Sequence, residues 1–214
     1  MAVSKTTLYQ GAILLIKQNA VDVTTTEDSA FVNVLDLVYD RVLAFCLCEG
    51  DWNFATRTVS IEASTDVTSA ISDYSYAIEK PSDYAGRIVA ISGNQRFDPP
   101  LDDYHEDGGL SGYIWCDVDP LYLRYISDGV EFGLNLADWS PAFERYVEYE
   151  LAWRIAPQLT SMSANEKEEF RKERKRALRD AQAKDARNQG VQPLPQGRLV
   201  QARGYPSSRS RWRW

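Results

Sequence analysis

The chain has 214 residues, of which 44% are hydrophobic and 12% aromatic, enough for one medium-sized domain with a core of its own. Its 24 Lys and Arg residues against 31 Asp and Glu residues give a net charge of −7. No apolar run is long enough to span a membrane, and the N-terminus lacks the pattern of a secretory signal. We therefore expect neither a membrane protein nor an exported one.

Charge is distributed unevenly along the chain. Residues 1–160 hold 10 basic and 25 acidic side chains, whereas residues 161–214 hold 14 basic and 6 acidic ones. The last 27 residues carry five arginines and no acid. One interpretation is a solubilising surface with a disordered tail. The other is an acidic body that does not hold DNA tightly, with a basic tail that binds an acidic or aromatic-lined groove of a partner.

The three cysteines do not predict a metal site. Cys46 and Cys48 lie two residues apart on a predicted helix and so point to different faces, and the only histidine is His105. Buried free thiols are favoured over a metal site for Cys46, Cys48 and Cys116. This pattern predicts a reduced, cytosolic environment and no cofactor.

Two helices are predicted in the N-terminal part. Apolar periodicity places the first over residues 6–19, where Gly11 costs about 1 kcal/mol relative to alanine. The second runs from about residue 27 to residue 48, ahead of a glycine in the usual C-terminal position. Trp52 and Phe54 follow it, and we expect both to pack in the core.

Residues 57–127 alternate between apolar and polar side chains, as strands of an antiparallel sheet do. The predicted strands are residues 58–63, 74–79, 88–91, 113–116 and 121–126.

A long polar loop is predicted from residue 97 to residue 109, and loops of this length are usually functional or disordered. Its acids lack the spacing of a calcium site, so a simple acidic loop is favoured over a cation site. His105 has no identifiable partner for nucleophilic catalysis, and Gly108 and Gly109 lie among acids that repel phosphate. The acids of this loop are Asp102, Asp103, Glu106 and Asp107.

Two more helices are predicted at the C-terminal side. Pro141 begins the first, whose apolar face runs to Ile155. Capping-box spacing from Ser163 to Glu166 opens the second, which is predicted to end near Arg187. Since Phe170 and Leu178 are its only large apolar residues, this helix is expected to bury little and to reach another chain.

Together these elements predict an α+β protein, an antiparallel helical bundle with an inserted antiparallel β-sheet domain and an extended C-terminal arm. The helical part is assigned to residues 1–56 and 138–187. The β domain is assigned to residues 57–137, and the basic arm to residues 188–214.

Five segments, in this order and spacing, resemble the tail tubular protein A family, the head-to-tail adaptors (connectors) of tailed bacteriophages. The segments are residues 48–55, 74–84, 121–126, 139–143 and 151–160. The resemblance covers roughly residues 8–180.

The resemblance implies a non-enzymatic ring, commonly a dodecamer, that docks under the portal protein and lets genomic DNA pass without specific binding. The helical part would contact the portal and neighbouring subunits, and the β part would face the tail tube or nozzle protein. The protein would reside in the virion at the head–tail interface after assembly in the host cytoplasm. We expect it to be monomeric until it meets the portal.

Arginine and tryptophan side chains are frequent hot spots of protein interfaces, so we expect the basic residues of the last helix and the Arg/Trp tail to bind the portal or another partner. The candidates are Arg171, Arg174, Lys175, Arg179, Arg203, Tyr205, Arg209, Arg211, Trp212, Arg213 and Trp214.

Two other functions stay open. A nucleic-acid-binding accessory protein would use residues 167–187 and the tail, because arginines interleaved with aromatics grip phosphate and stack on bases. A tail-associated glycan hydrolase would need paired carboxylates from residues 102–107. The acidic body argues against the first, and acids in a mobile loop are rarely held at the separation that the second requires.

Overall fold

The computed structural model describes residues 3–17, 30–64, 74–107, 109, 112–159 and 164–188. This part of the chain is a mixed α+β structure with four helices and two small antiparallel sheets. The helices are α1 (Lys5–Lys17), α2 (Ala30–Cys48), α3 (Pro141–Leu159) and α4 (Ala164–Arg187). The strands are β1 (Thr56–Ile61), β2 (Tyr76–Glu79), β3 (Tyr84–Ser92), β4 (His105–Glu106), β5 (Tyr113–Cys116) and β6 (Leu121–Ser127).

The four predicted helices are present, with small differences at their ends. α3 continues beyond Ile155 and through Pro157. Tertiary packing explains this extension, since Ala156 is buried in that last turn and packing overrides the low helix propensity of proline. The predicted capping box at Ser163 lies outside the described residues, as do predicted helical residues 18–19 and 27–29.

The strands form two sheets, so the expectation of one sheet is wrong. The first has the order β1-β6-β3, with Arg57 opposite Tyr125, and the second has the order β2-β5-β4, with Ile78 opposite Ile114. Alternation along each strand shows which side chains share a face, but it does not show which strands pair.

Part of the predicted acidic loop is a strand. β4 pairs with β5 and places His105 opposite Trp115. A strand of two residues is too short to show an alternating pattern, so no pattern of side chains predicted it.

The hydrophobic core has two parts. The larger one lies among the helices and includes Ala85 and Ile126 from the first sheet, and the smaller one lies between the two sheets. Trp52 is 1% exposed, and Phe54 packs against this larger core. The expectation that both aromatic residues are packing residues is therefore confirmed.

α3 is the helix against which the other three pack. Its contact with α1 explains Gly11, because a Cβ at that position would overlap the carboxyl of Glu148 on α3. Glycine at position 11 lowers the helix propensity of α1, but it allows α1 to pack closely against α3.

α4 buries more than the sequence predicted. Ala177 and Ala181 are buried on its inner side, with Phe170 and Leu178 packed against the same core. Ala177 and Ala181 are four residues apart, Leu178 and Ala181 three, and Phe170 lies two helical turns before Ala177, which places all four on one helix face. Ala177 and Ala181 complete the packing face of α4, and large apolar residues alone do not reveal this face.

The cysteines are free thiols, as expected, and Cys46 and Cys116 are buried. Cys48 is half-buried and donates its thiol hydrogen to the carbonyl of Ala85. Burial raises the pKa of all three thiols, which keeps them protonated at neutral pH.

Candidate partner-binding surface

Arg174, one of the predicted partner-binding residues, is engaged within its own chain. It follows Phe170 by four residues and so lies on the inner side of α4. Its Nη1 lies 3.0 Å from Oε2 and 3.3 Å from Oε1 of Glu150 on α3. The expectation that Arg174 is left to meet an acid of another chain is therefore not met.

Glu150 is a buried carboxylate held by two guanidinium groups. Its side chain is 1% exposed, and Nε of Arg154, one helical turn further along α3, lies 3.1 Å from Oε1. Arg174 supplies the second positive charge. A buried carboxylate is tolerated when it is paired and hydrogen-bonded, and in return it holds both arginines in fixed positions.

Each of these arginines also lies over an aromatic ring. The guanidinium carbon of Arg174 is 5.2 Å from the ring centroid of Trp153, and that of Arg154 is 5.2 Å from the centroid of Phe45. Trp153 in turn stacks on Phe170, with the ring planes 13° apart. Such contacts add cation–π attraction to the ion pairs.

We call this group the Arg–aromatic cluster. It joins α2, α3 and α4 and consists of Phe45, Glu150, Trp153, Arg154, Phe170 and Arg174.

The cluster reaches the surface on the side of α2. Phe45 is exposed at its rim, and Leu37 on the same helix is 77% exposed. An exposed aromatic residue beside ordered arginines, as in the cluster, has the composition of a protein–protein interface, and Leu37, two helical turns from Phe45, adds a separate exposed apolar side chain. Because Glu150 already holds the arginines, a partner would not have to order them on binding.

The other three predicted residues of α4 are exposed. Lys175 and Arg179 lie four residues apart on the outer side of the helix. Arg171 is 52% exposed and lies 3.6 Å from Glu168, an exposed ion pair of little energetic weight. The outer side of α4 therefore presents these positive charges, with Lys172 and Arg176 beside them.

The predicted residues of the tail lie outside the described residues. They are Arg203, Tyr205, Arg209, Arg211, Trp212, Arg213 and Trp214.

The acids of the predicted loop hold the β4–β5 hairpin in place. Glu106 Oε1 accepts hydrogen bonds from Lys80 Nζ and from the Tyr84 hydroxyl, each at 2.9 Å. Asp107 accepts from Trp115 Nε1 at 2.9 Å, a bond that lowers the pKa of the Asp107 carboxyl. These bonds are structural, and they leave neither carboxylate placed as a free acid or base.

Asp83, the residue before the start of β3, holds together the three strands of the first sheet at one end. Asp83 accepts hydrogen bonds from the Tyr125 hydroxyl at 2.7 Å and from Arg57 Nη1 at 2.7 Å, and a third from the Ser127 hydroxyl. Burial acts to raise the pKa of Asp83, but these three bonds together outweigh it, so the pKa lies below its ordinary value.

The ion pair between Glu150 and Arg154 has a signal in the sequence, because the acid and the base lie four residues apart on one helix. The partnership of Glu150 with Arg174 had no comparable signal, because it joins residues on different helices.

No three metal-ligating side chains come together in the described ranges. None of the helices in these ranges is both long and apolar enough to cross a membrane. No protein-family model and no curated protein matches the chain.

Proposed function

We propose that this chain is a structural head-to-tail adaptor of a tailed phage, a ring component that joins the portal to the tail and lets DNA pass. The observation that supports it best is the Arg–aromatic cluster, a group of arginine and aromatic side chains that Glu150 holds in place and that reaches the surface at Phe45. The succession of segments that resembles the tail tubular protein A family supports it independently.

In this proposal the helical part binds the portal protein and neighbouring copies. Phe45 of the cluster and Leu37, two helical turns away on α2, offer exposed apolar side chains, while Lys175 and Arg179 on the outer side of α4 offer charges to acids of the partner. α4 ends at Arg187 and carries the basic segment that follows it. Trp212 and Trp214 in that segment are anchors of the kind that dominate binding energy when buried.

The β part is suited to a channel through which DNA moves. Residues 57–137 hold 14 acidic and 5 basic side chains. Carboxylates repel phosphate and release no counterions on contact, so they favour sliding over tight binding. The tail tube or nozzle protein is the partner proposed for this part.

The proposal is tested by assembly with the portal ring of the same virus, followed by cosedimentation and electron microscopy. Three forms are compared: the full chain, the chain ending at Asn188, and a variant with Trp212→Ala and Trp214→Ala. A variant with Ser207→Ala and Ser208→Ala is the matched control within the same segment.

We expect the full chain and the serine control to bind and the other two forms to bind at least about tenfold more weakly, the loss typical of removing a hot spot. Equal binding by all forms would remove the tail from the mechanism. No binding by the full chain would contradict the adaptor function itself.

A second function is favoured by one observation, the row of exposed cations on the outer side of α4. Lys172, Lys175, Arg176 and Arg179 lie there within two helical turns, a spacing suited to a phosphate backbone. A salt-sensitive mobility shift with short DNA at physiological ionic strength, lost in a variant with Lys175→Ala and Arg179→Ala, would support a nucleic-acid-binding accessory protein.

A further inference from the structure

Three of the four strand edges in the two sheets are protected against pairing with another strand. β1 and β3 are the edges of the first sheet, and β2 and β4 are the edges of the second. β3 has register shifts between Tyr84 and Ala90, irregularities that disfavour further pairing. On β2, Ala77 already accepts a backbone hydrogen bond from Ser64, and β4 is only two residues long.

Within the part of the chain that the structure describes, β1 has none of these protections. It runs in unbroken register against β6, from Thr56 opposite Ile126 to Ile61 opposite Leu121. It contains no proline or lysine, and Asp83 neutralises its single charge, Arg57. Within the described ranges, β6 is the only strand that pairs with it. A regular edge of this kind accepts an added strand readily.

A groove lies beside this edge, with a volume of about 390 Å³. Val59 and Ile61 of β1 line it with half-exposed apolar side chains, and its charged lining is balanced between Glu79 and Asp83 on one side and Arg57 and Lys80 on the other. A strand added to β1 would direct alternate side chains toward the groove. The groove therefore suits a strand with apolar residues in its middle.

We propose that residues 198–203 of the same chain add to the outer edge of β1 as a further strand of the first sheet. The segment reads Arg-Leu-Val-Gln-Ala-Arg, with an arginine at each end and three apolar residues between. It contains no proline and is bounded by Gly197 and Gly204. Its six residues equal the length of β1.

The place where the described chain ends supports this assignment. Near the end of α4, Asp185 Oδ2 accepts a hydrogen bond from the backbone N–H of Asn53 at 3.0 Å, and its carbonyl accepts one from the Asn53 side chain at 2.8 Å. Asn53 lies just before β1 begins at Thr56. The segment from 189 to 197 can span roughly 30 Å, so it can reach along β1 from there.

The inference does not depend on the adaptor function, since it concerns the isolated chain, and it leaves residues 205–214 free to bind a partner.

Hydrogen exchange of the β1 backbone, followed by mass spectrometry on the isolated protein, tests the proposal. The full chain is compared with the chain ending at Asn188 and with Val200→Pro, which removes a ladder donor in the middle of the segment. Ser208→Pro is the control, because it places a proline in the same tail but outside residues 198–203. All of these changes lie after Asn188, so we expect the helices and sheets described above to keep their fold.

We expect amides of β1 to exchange at least about tenfold faster in the truncated chain and in Val200→Pro than in the full chain and in Ser208→Pro. Fast exchange in all four forms would show that nothing covers the edge. Slow exchange in all four would assign the cover to another part of the chain. Protection that falls on dilution would indicate pairing between copies, and each of these three results would overturn the proposal.

Discussion

Arg174 on α4 and Glu150 on α3 form an ion pair in which Nη1 and Oε2 lie 3.0 Å apart, with the carboxylate almost completely buried. This contact fixes the side of α4 that faces the body. It also distinguishes Arg174, which pairs within the fold, from the other basic residues of α4 that remain exposed.

Replacing Arg174 by methionine is expected to lower the free energy of unfolding by about 2 kcal/mol. A buried carboxylate that loses a partner costs several kcal/mol, and Arg154 remains to offset part of this cost. Urea denaturation provides the measurement. Arg171→Met, three residues away in an exposed pair, is the control and should change stability by less than about 0.5 kcal/mol. Similar effects of the two substitutions would contradict the assigned role of Glu150.

The packing of α4 against α3 predicts opposite outcomes for two alanines of the same helix. Ala181 is fully buried, so Ala181→Leu overfills the contact and should cost about 1–3 kcal/mol of stability. Ala183 is exposed, so Ala183→Leu should change stability by less than about 0.5 kcal/mol. Thermal unfolding of both variants checks this, and equal melting temperatures would show that α4 does not pack as described.

Glu148 predicts a pH dependence of stability. Burial, with the charge of Glu144 adding to it and that of Arg145 opposing it, raises the pKa of Glu148 from 4.5 to about 7. The folded state therefore holds a proton that the unfolded state releases, and stability from this group declines as the pH rises from 4.5 to about 7.

Denaturation of the wild type and of Glu148→Gln across this range isolates the contribution. Relative to the variant, the wild type should lose stability up to about pH 7 and remain level above it. A constant difference between the two proteins would mean that Glu148 has an ordinary pKa and lies in water, away from Gly11.

Asp83 predicts the opposite pH dependence. Its carboxylate accepts hydrogen bonds from Ser127, Tyr125 and Arg57, which lower its pKa below 3.8 despite its burial. Asp83→Ala leaves the buried Tyr125 hydroxyl without its acceptor and should cost about 3 kcal/mol near pH 7. Stability from Asp83 is present above pH 3.8 and is lost as the pH falls below it.

Denaturation at pH 7 and at lower pH measures this effect, with Glu131→Ala as an exposed control that should change stability by less than about 0.5 kcal/mol. The difference between the wild type and Asp83→Ala should shrink in acid. A difference that grows on acidification would contradict the hydrogen-bond arrangement around Asp83.

Substitution of Leu37 tests whether the helical part of the molecule binds the portal, as the proposed function requires. Leu37 on α2 and Val130 before α3 are similarly exposed, at 77% and 80%. If the helical part docks on the portal, Leu37→Asp should weaken portal binding by about tenfold or more, because it places a charge at an apolar interface centre. Val130→Asp should leave binding unchanged. The reverse result in the same cosedimentation assay would assign docking to the β side.

Much of the secondary structure could be predicted from the sequence. The period of α2 and the alternation of β5 and β6 are carried by neighbouring residues, and these elements lie where the pattern placed them. The core position of Trp52 followed in the same way. Local periodicity failed where an element was too short, as in β4, or where small residues formed the contact, as in α4.

The candidate surface could be predicted only in part. Exposed Lys175 and Arg179 were identified by charge alone, whereas Arg174 was assigned to a partner although it binds Glu150 in its own chain. The sequence by itself determined the longer helices and strands, the free thiols and the uneven charge. The tertiary structure alone decided that Arg174 meets Glu150, 24 residues away, and that Asn53 meets Asp185, 132 residues away. Periodicity reports which face of an element is buried, but the partner of that face depends on contacts between distant parts of the chain.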